Sequence, residues 1–537
     1  MALRSIGFIK WQKLCALLLA ALLLVPASAL TALAAQEESG DPSPIIYVIG
    51  QTPLYDDPAS PDRKQLAKGA KADILDAVKE ALPYAARAVM LGQWDAYADK
   101  AYDLLMEFYG GYGLNENGEV VNGSGPDFTW SEDALSSNYR SDWPYNYAFE
   151  YDARLSPMEI ADDLNEYIEA VKRVTGKDKV SIVGRCLGAN VMLAYIQKYQ
   201  ESQNYAGLDT AVFYDSSLLG VDMLEAAMSG TITVEPDAAG GFAAEYDLDL
   251  GNETLNEIVT LTLQMLRDTY GIEITAKLVE RIYSHVRDTA VRRFLMSTYA
   301  SFPGYWSMVY ERFDEAKSYI FSGEKDAQTY AVMIEKIDAF RNQVQLRYKE
   351  LIAGMQNAGV EVAAVCKYGF RGYPFYENAK RLSDGFTSLE KQSFGAACSE
   401  FDGTLEESYV AGREAEGFGA YISPDKQIDA SAGLLPDTTW YLKNNTHNGF
   451  WDIISPLLLA ICRNRDFTVR DSDTWTQFQY VTDPYHVVPM TADNCDPNGD
   501  ITHSGSGSQA KNPLAAVWNF FKYLFNLLKT LFGSLKK

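Results

Sequence analysis

The residue best suited to act as a nucleophile is Cys186, which lies between Gly184 and Gly188 in the segment GRCLG. A β-branched run at 180–183 precedes this segment, and an apolar run with helical character at 189–195 follows it. Glycines two positions before and after a turn allow the backbones of a strand and a helix to approach closely. The pattern therefore predicts a strand, a tight turn and a helix, with a thiol at the turn that an imidazole could activate for attack on an acyl carbonyl.

Four histidines are available to act as the base for such a thiol. His447 lies in the polar loop KNNTHNG, between a predicted strand at 438–442 and a predicted helix at 450–462. His285 falls within a predicted helix, whereas His486 and His503 lie in the polar segment that follows. His447 is therefore the main candidate, with His486 as its principal alternative.

The segment 147–195 resembles the corresponding part of lipases related to lecithin–cholesterol acyltransferase, which are α/β-hydrolases. It contains YDAR at 151–154, a helix that begins at SPME, and then the turn with Cys186, all at similar spacing. GRCLG resembles the nucleophile elbow G-x-S-x-G of these enzymes, with cysteine in place of serine as in dienelactone hydrolases and polyhydroxyalkanoate synthases. The resemblance covers most of residues 45–462. It implies an α/β-hydrolase fold, with a mostly parallel central sheet flanked by helices and a large helical, lid-like insertion.

The resemblance also implies roles for particular residues. The family places its catalytic acid in an Asp-Gly step after the strand that here is predicted at 360–365, which corresponds to Asp384, and its base at the position of His447. Asp402 and Asp215 are alternatives for the acid. An oxyanion hole would use the N–H of Leu187 and an N–H after the predicted strand at 45–49, where Gln51 stands in place of the usual His-Gly. The predicted site thus has a catalytic set and two oxyanion donors: Cys186, Asp384 and His447, with Leu187 and Gln51.

The sequence divides into six predicted segments. They are a signal peptide at 1–35, the first part of the α/β core at 36–217, a helical insertion at 218–358, the second part of the core at 359–465, a polar C-terminal extension and linker at 466–511, and an amphipathic helix at 512–537. The aromatic cluster FPGYW at 302–306 lies within the insertion. It either lines an acyl pocket or packs between helices.

The N-terminus has the pattern of a secretory signal peptide. Basic residues precede an apolar run at 14–24, and ALA at 32–34 provides a cleavage site; an uncleaved membrane anchor is the alternative. Cleavage would remove Cys15 and leave five of the six cysteines. An odd number in an exported protein favours a free thiol, which would be Cys186 if the other four formed two disulfides, although all five could be free.

Charge separates the body of the chain from its ends. The formal net charge is −25, yet residues 1–35 and 501–537 contain no Asp or Glu, and all of their charged residues are basic. An acidic body excludes a nucleic-acid partner. The segment 512–537 combines a narrow lysine stripe with a broad apolar and aromatic face, which predicts binding to a membrane surface; docking on the catalytic domain or self-association is the alternative.

The sequence therefore predicts an exported acyl-ester hydrolase of the lipase or esterase type, attached to the membrane surface and acting through a thioester. It predicts no cofactor and no metal, because its histidines and cysteines are scattered rather than at ligand spacing. An acyltransferase of the same fold, or a non-catalytic binding protein of that fold at the cell surface, is the alternative.

Overall fold

The β-branched and aromatic runs of the chain form the central sheet of the computed structural model. Its strands are β1 (Ile45–Val48), β2 (Tyr147–Phe149), β3 (Val180–Arg185), β4 (Leu208–Tyr214), β5 (Glu361–Tyr368), β6 (Thr439–Lys443), β7 (Phe478–Asp483) and β8 (His486–Pro489). They lie in the order β8-β7-β6-β5-β4-β3-β1-β2. All neighbours are parallel except β7 and β8, which form an antiparallel hairpin at one edge. The predicted α/β class, with a mostly parallel sheet flanked by helices, is confirmed.

The structure describes residues 42–66, 80–138, 147–235, 271–449 and 454–495, apart from isolated positions within these ranges. The predicted signal peptide, the predicted amphipathic helix at 512–537, His503 and the part of the insertion at 236–270 lie outside the described residues. Among the helices that are described, none combines the length and the apolar character needed to cross a membrane.

Helices surround the sheet along the whole described chain. In chain order they are α1 (Trp94–Tyr109), α2 (Glu132–Asn138), α3 (Pro157–Thr175), α4 (Leu187–Tyr195), α5 (Asp222–Met228), α6 (Gly271–Val286), α7 (Arg292–Ser297), α8 (Pro303–Trp306), α9 (Phe313–Ile320), α10 (Glu324–Thr329), α11 (Ala331–Gln343), α12 (Tyr348–Asn357), α13 (Leu389–Gln392), α14 (Glu407–Ala415) and α15 (Ser455–Arg463). Short two-stranded ladders join 54–55 to 125–126, 370–371 to 382–383, and 397–398 to 428–429.

Both faces of the sheet are buried, which explains why its inner strands are apolar at almost every position. Alternate residues of β1 and β4, such as Ile46 and Phe213, face a cluster that includes side chains of α3, α4 and α12. Their neighbours, such as Tyr47 and Val212, face a second cluster that includes α15. The core strands are therefore held between helical layers, and polar side chains gather where the strands end.

Helix α3 begins and ends where its sequence predicts. The Ser156 hydroxyl accepts a hydrogen bond from a backbone N–H of the first turn, Pro157 occupies the first helical position, and Glu159 closes a capping box. Gly176 ends the helix with φ 68°, a left-handed conformation that glycine adopts without a steric penalty. This helix leads directly into β3, so its capping helps to fix the strand that carries the turn with Cys186.

The chain between β4 and β5 is helical through most of its described part, where α5 to α12 lie. Several of these helices share a buried cluster of their own, separate from those on the sheet. Trp306 lies in that cluster and stacks on Phe321 with ring centroids 5.6 Å apart. The described part of the inserted region is therefore a packed layer with its own buried cluster.

The predicted boundary of the core at residue 465 is wrong. Strands β7 and β8 lie beyond it and extend the central sheet, so the segment 466–511 is not wholly a polar extension. Buried glutamines lie in β7 and just before it. The side-chain NH₂ groups of Gln477 and Gln479 donate to backbone carbonyls, including those of Pro436 at 2.6 Å and Thr476 at 2.8 Å. The part of the predicted linker at 496–511 lies outside the described residues.

Candidate active site

Cys186 lies at the turn between β3 and α4, as the glycine spacing predicts. Its φ of 51° and ψ of −121° place an L-residue in a region of backbone conformation that costs energy. Such a conformation persists only where the surrounding structure enforces it. Here the Cys186 N–H donates to the Tyr214 carbonyl at 2.9 Å, and this bond extends the ladder between β3 and β4 into the turn.

The glycines around Cys186 are required by close backbone contacts. A Cβ on Gly184 would lie 2.7 Å from the Ala189 Cα, and one on Gly188 would lie 2.2 Å from the Val48 carbonyl oxygen. A Cβ on Gly50 would lie 2.9 Å from that of Cys186. Strand, turn, helix and the end of β1 are therefore in direct backbone contact, which leaves the thiol little freedom to move.

The loop after β6 brings His447 to Asp384, a residue 63 positions earlier in the chain. The His447 Nδ1 lies 2.7 Å from the Asp384 Oδ2, and the His447 backbone N–H donates to the Asp384 carbonyl at 2.9 Å. The other carboxylate oxygen of Asp384 accepts from the N–H groups of Phe386 and Thr387, at 2.9 and 2.7 Å. The buried acid is thus fixed on both oxygens, and it fixes the imidazole in turn.

The imidazole of His447 lies close enough to the thiol of Cys186 for each group to shift the pKa of the other. Because Nδ1 is taken by Asp384, the nitrogen available to the thiol is Nε2. Burial alone would raise the pKa of Cys186, but the charge of His447, together with hydrogen bonding and the charge of Arg185, outweighs it and holds this pKa below its ordinary value. Burial would likewise lower the pKa of His447, yet the charges of Asp384 and Cys186 raise it well above its ordinary value. Both directions favour a thiolate beside an imidazolium.

Most of the alternative residues that the sequence offered lie away from this site. His285 stacks on Trp94 with ring centroids 4.1 Å apart, and His486 is exposed on β8 and contacts Asp483. Asp402 is largely exposed and pairs with Arg371 at 2.8 Å.

Asp215 is the exception among these alternatives, because it is fully buried close to His447. Its carboxylate contacts the Lys367 ammonium at 3.0 Å. The imidazole nitrogen Nδ1 hydrogen-bonds Asp384 and not Asp215, so the geometry favours Asp384 as the acid.

The residues of the two predicted oxyanion donors line the same cavity as Cys186. The Leu187 N–H, at the start of α4, helps to lower the pKa of the Cys186 thiol. Gln51 lines the same cavity as Cys186, and its side-chain amide donates to the Tyr305 hydroxyl at 3.1 Å. The start of a helix and a loop after β1 therefore meet near the sulfur, where a carbonyl oxygen under attack would have to lie.

A cavity of about 830 Å³ opens beside the thiol. Its walls away from the reacting groups are apolar or aromatic, and most of them come from the inserted helices and their connections. These residues are Val221, Met223, Leu224, Ala227, Ile232, Val291, Phe294, Leu295, Tyr299, Tyr305 and Met308. A cavity of this size and lining suits an apolar group next to a polar reacting centre.

The aromatic cluster at 302–306 lies partly at the cavity and partly in the packed interior. Tyr305 lines the cavity, whereas Phe302 and Trp306 are fully buried among other side chains. The Tyr305 and Phe302 rings meet edge to face, with centroids 5.2 Å apart. The cavity wall is therefore continuous with the packing of the inserted layer.

No disulfide joins the cysteines in the described part of the chain, and their environments differ. Burial raises the pKa of Cys366, Cys398 and Cys462, so these thiols stay protonated at neutral pH. The pKa of Cys186 is instead lowered. The two disulfides that the sequence left open as a possibility are not what the structure has.

Two groups of acidic and imidazole side chains in the described chain have the spacing of metal ligands, Asp215 with Asp384 and His447, and Asp222 with Glu225 and Glu311. In each group a lysine ammonium already contacts the carboxylates. Lys367 lies 3.0 Å from Asp215, and Lys391 lies 2.9 Å from Asp222 and 2.7 Å from Glu225. In both groups a lysine thus supplies the positive charge that partly offsets the cost of burying these acids.

Sequence reasoning missed the cations next to the site. Arg185 and Lys367 both donate to the His447 backbone carbonyl, from Nη2 at 2.6 Å and from Nζ at 3.2 Å. Arg185 was visible as the residue before the nucleophile, but nothing in the pattern indicated its partner. The available signal was Lys367, a charged residue two positions after the predicted buried strand at 360–365, because a lysine so close to a buried strand indicates a nearby partner.

Comparison with known proteins adds no family to this description. No protein-family model matches the chain, and the search of curated proteins finds no match to it. The geometry of Cys186, His447 and Asp384, and of the cavity beside them, is therefore what bears on function.

Proposed function

We propose that this protein is an exported α/β-hydrolase that cleaves carboxylic esters with an apolar acyl group, using Cys186 as the nucleophile, His447 as the base and Asp384 as the acid. The observation that carries the proposal is the convergence of these three side chains from distant segments of the chain on one cavity, with 2.7 Å between His447 Nδ1 and Asp384 Oδ2 and with His447 close enough to lower the pKa of the Cys186 thiol. Nucleophile, acid and base also follow one another in the order that α/β-hydrolases use.

The first half of the reaction forms a thioester. The Cys186 thiolate attacks the ester carbonyl, and the N–H groups of Leu187 and Gln51 stabilise the negative charge on the carbonyl oxygen. As the tetrahedral intermediate collapses, the bond to the alkoxy oxygen breaks and the His447 imidazolium gives its proton to the departing alcohol. Asp384 keeps the imidazole in one tautomer and orientation and stabilises its charged form.

The second half releases the acid. His447, now neutral, takes a proton from a water molecule that attacks the thioester, and the sulfur departs as a thiolate. The product is a carboxylic acid, and the imidazolium–thiolate pair is restored. An alcohol in place of water would give a new ester by the same steps, so transfer and hydrolysis differ only in the acceptor.

The cavity supports the proposal that the protein recognises the apolar acyl group of its substrate. Its volume of about 830 Å³ lies within the range of sites that hold small organic ligands. Apolar surface removed from water contributes about 25 cal/mol per Å², so each added methylene in such a wall strengthens binding. We therefore expect activity to rise with acyl chain length until the cavity is filled.

Export and attachment to a membrane surface belong to the same proposal. They rest on the sequence patterns at 1–35 and 512–537, and a lipid substrate would be met at such a surface. An esterase held at a lipid interface would meet its acyl-ester substrates at that interface.

The test is turnover of p-nitrophenyl esters with acyl chains from acetyl to palmitoyl, by the wild type and by Cys186→Ala. Cys398→Ala is the matched control, because that thiol is also partly exposed but lies in a separate two-stranded ladder. We expect Cys186→Ala to abolish both turnover and labelling by iodoacetamide at this position, while the control keeps both. Adding a short alcohol to the wild-type reaction measures transfer as the new ester formed.

Turnover that survives Cys186→Ala would contradict the assignment of the nucleophile. Absence of turnover by the wild type at every chain length, with Cys186 unreactive to iodoacetamide, would favour a binding protein of the same fold instead.

A further inference from the structure

The backbone of His447 is held at both of its polar groups. Its N–H donates to the Asp384 carbonyl at 2.9 Å, and its carbonyl oxygen accepts from Arg185 Nη2 at 2.6 Å and Lys367 Nζ at 3.2 Å. Arg185 Nη2 also reaches the Asn448 side-chain oxygen at 3.2 Å. A buried backbone carbonyl needs at least one hydrogen-bond donor, so two cationic donors on the same loop carbonyl oxygen exceed that requirement.

These cations lie close together and share one counter-ion. Lys367 and Asp215 have no exposed side-chain surface and lie 3.0 Å apart, and the Arg185 Nε lies 3.8 Å from the same carboxylate oxygen. Both cations also approach the Tyr214 ring, at 4.9 Å for Lys367 and 5.9 Å for Arg185. Burying such charges costs free energy. Their position at the backbone of His447 therefore indicates that they have a role in the site.

Arg185 is the cation best placed to act on the sulfur. It immediately precedes Cys186, and its side chain lines the same cavity. The Lys367 ammonium is paired with the Asp215 carboxylate at 3.0 Å, and burial lowers the pKa of Lys367 and raises that of Asp215. A guanidinium, in contrast, stays protonated at every pH at which a protein is folded.

We propose that Arg185 is a positioning residue for the site: with Lys367 it fixes the backbone of His447 against Cys186, and its charge stabilises the Cys186 thiolate. Arg185 touches neither the ester nor the transferred proton in the proposed reaction, and it acts through its neighbours. The inference rests on the proposed function, because it assigns a role within that reaction.

The remaining groups near the sulfur do not supply this charge. Three tyrosines from other elements interact with Cys186, namely Tyr47 on β1, Tyr151 after β2 and Tyr305 on α8. Burial raises the pKa of each of them, so they remain neutral over the range in which the thiol titrates.

Asp384 and Asp215 are acidic, and a negative charge on either opposes a thiolate. The positive charges that favour the thiolate are therefore those of His447 and Arg185, beside the uncharged N–H of Leu187.

The experiment compares Arg185→Met and Arg185→Lys with the wild type. The rate of Cys186 labelling by iodoacetamide is followed from pH 5 to 10 by mass spectrometry of its peptide, and kcat and KM are measured with p-nitrophenyl butyrate. Arg465→Met is the matched control, because Arg465 contacts Asp209 on β4 and the Gly359 carbonyl just before β5, at the opposite ends of the strands that lead to Asp215 and Lys367.

Arg185→Met is expected to raise the pH midpoint of labelling by about one unit, the usual effect of losing a nearby opposite charge. It should also lower kcat at least about tenfold with little change in KM, since the imidazole is displaced while the cavity is intact. Arg185→Lys keeps the charge but not the planar fork, so the midpoint should return towards the wild-type value while kcat stays low. Arg465→Met should match the wild type in both measurements.

An unchanged midpoint in Arg185→Met would overturn the electrostatic role, and a wild-type kcat in Arg185→Lys would overturn the positioning role. The second variant retains a cation at the site and tests the inference even if the first does not fold. Labelling needs no ester, so it separates the two proposals. A wild-type midpoint at the ordinary value for cysteine would overturn both, whereas a low wild-type midpoint that Arg185→Met leaves unchanged would overturn only the role of Arg185.

Discussion

Two regions meet at the cavity, and they are built in different ways. The edge of the sheet supplies the groups that we propose react, and it holds them through backbone contacts so close that a Cβ on Gly188 would lie 2.2 Å from the Val48 carbonyl oxygen. The inserted helices supply the apolar wall, through side chains such as Leu224 and Phe294. They have a buried cluster of their own behind that wall.

This difference separates chemistry from selectivity. A reacting group displaced by about one ångström loses much of its rate, so its supports must be rigid. An apolar wall needs the right volume and can be altered by a side chain without moving the catalytic atoms. Changes at the sheet edge should therefore alter the rate for every ester, whereas changes in the insertion should alter which ester is preferred.

The largest expected effect is at the sheet edge, in Asp384→Asn. The amide keeps the shape of the side chain but no longer stabilises the imidazolium or enforces its tautomer. Turnover of all p-nitrophenyl esters should fall by about 10⁴-fold, as in other enzymes with this arrangement. Steady-state kinetics across the chain-length series measures it.

Asp402→Asn is the matched control, because Asp402 is an exposed partner of Arg371. It should leave turnover within about twofold of the wild type, in line with the small contribution of surface ion pairs. Equal losses in both variants would remove the distinction between a catalytic carboxylate and a structural one.

A smaller and selective effect is expected in the insertion, from Ala227→Trp. Ala227 lines the cavity on α5 and is partly exposed there, so an indole would occupy space that an acyl chain needs. Esters with long chains should lose about 10- to 100-fold in kcat/KM, while acetyl and butyryl esters keep most of theirs. The chain-length profile of kcat/KM is the measurement.

The same substitution at an exposed site, Ala331→Trp on α11, provides the control. It should leave the profile unchanged. A uniform loss across all chain lengths in Ala227→Trp would place the insertion among the parts that control reactivity, and the division between the two regions would not hold.

The smallest effect is expected within the sheet but away from its edge, from Cys366→Ala. Cys366 is fully buried in β5, and burial raises the pKa of its thiol. Removing the sulfur should lower the free energy of unfolding by about 1 kcal/mol, since it leaves a small cavity. Turnover should be retained, and chemical denaturation monitored by tryptophan fluorescence measures the loss. A folded variant without turnover would show that this buried thiol takes part in the reaction.

Short-range patterns predicted the sheet edge well. The glycines beside Cys186 and the caps of α3 record local steric requirements, so they can be read without knowledge of distant contacts. His447 could be selected because the sequence has only four histidines and one of them has a strand before it and a polar loop around it.

Features that depend on distant contacts were not predicted. The strand β7 was missed within a polar segment, where Gln479 is buried by bonds to carbonyls that the sequence does not indicate. The carbonyl contacts of Arg185 and Lys367 join residues 262 and 80 positions from His447. Nor could the cavity wall be assigned residue by residue, because helical periodicity marks a buried face but not what it faces.

The most direct test of the thioester mechanism is mass spectrometry of the wild-type protein, quenched with acid within the first turnover of p-nitrophenyl octanoate. We expect one octanoyl group per chain, attached to the peptide that contains Cys186 and released by hydroxylamine as a thioester is. A burst of p-nitrophenol of equal size should accompany it. Turnover with the octanoyl group on another residue, or with the burst missing and Cys186 unmodified at every quench time, would contradict the mechanism.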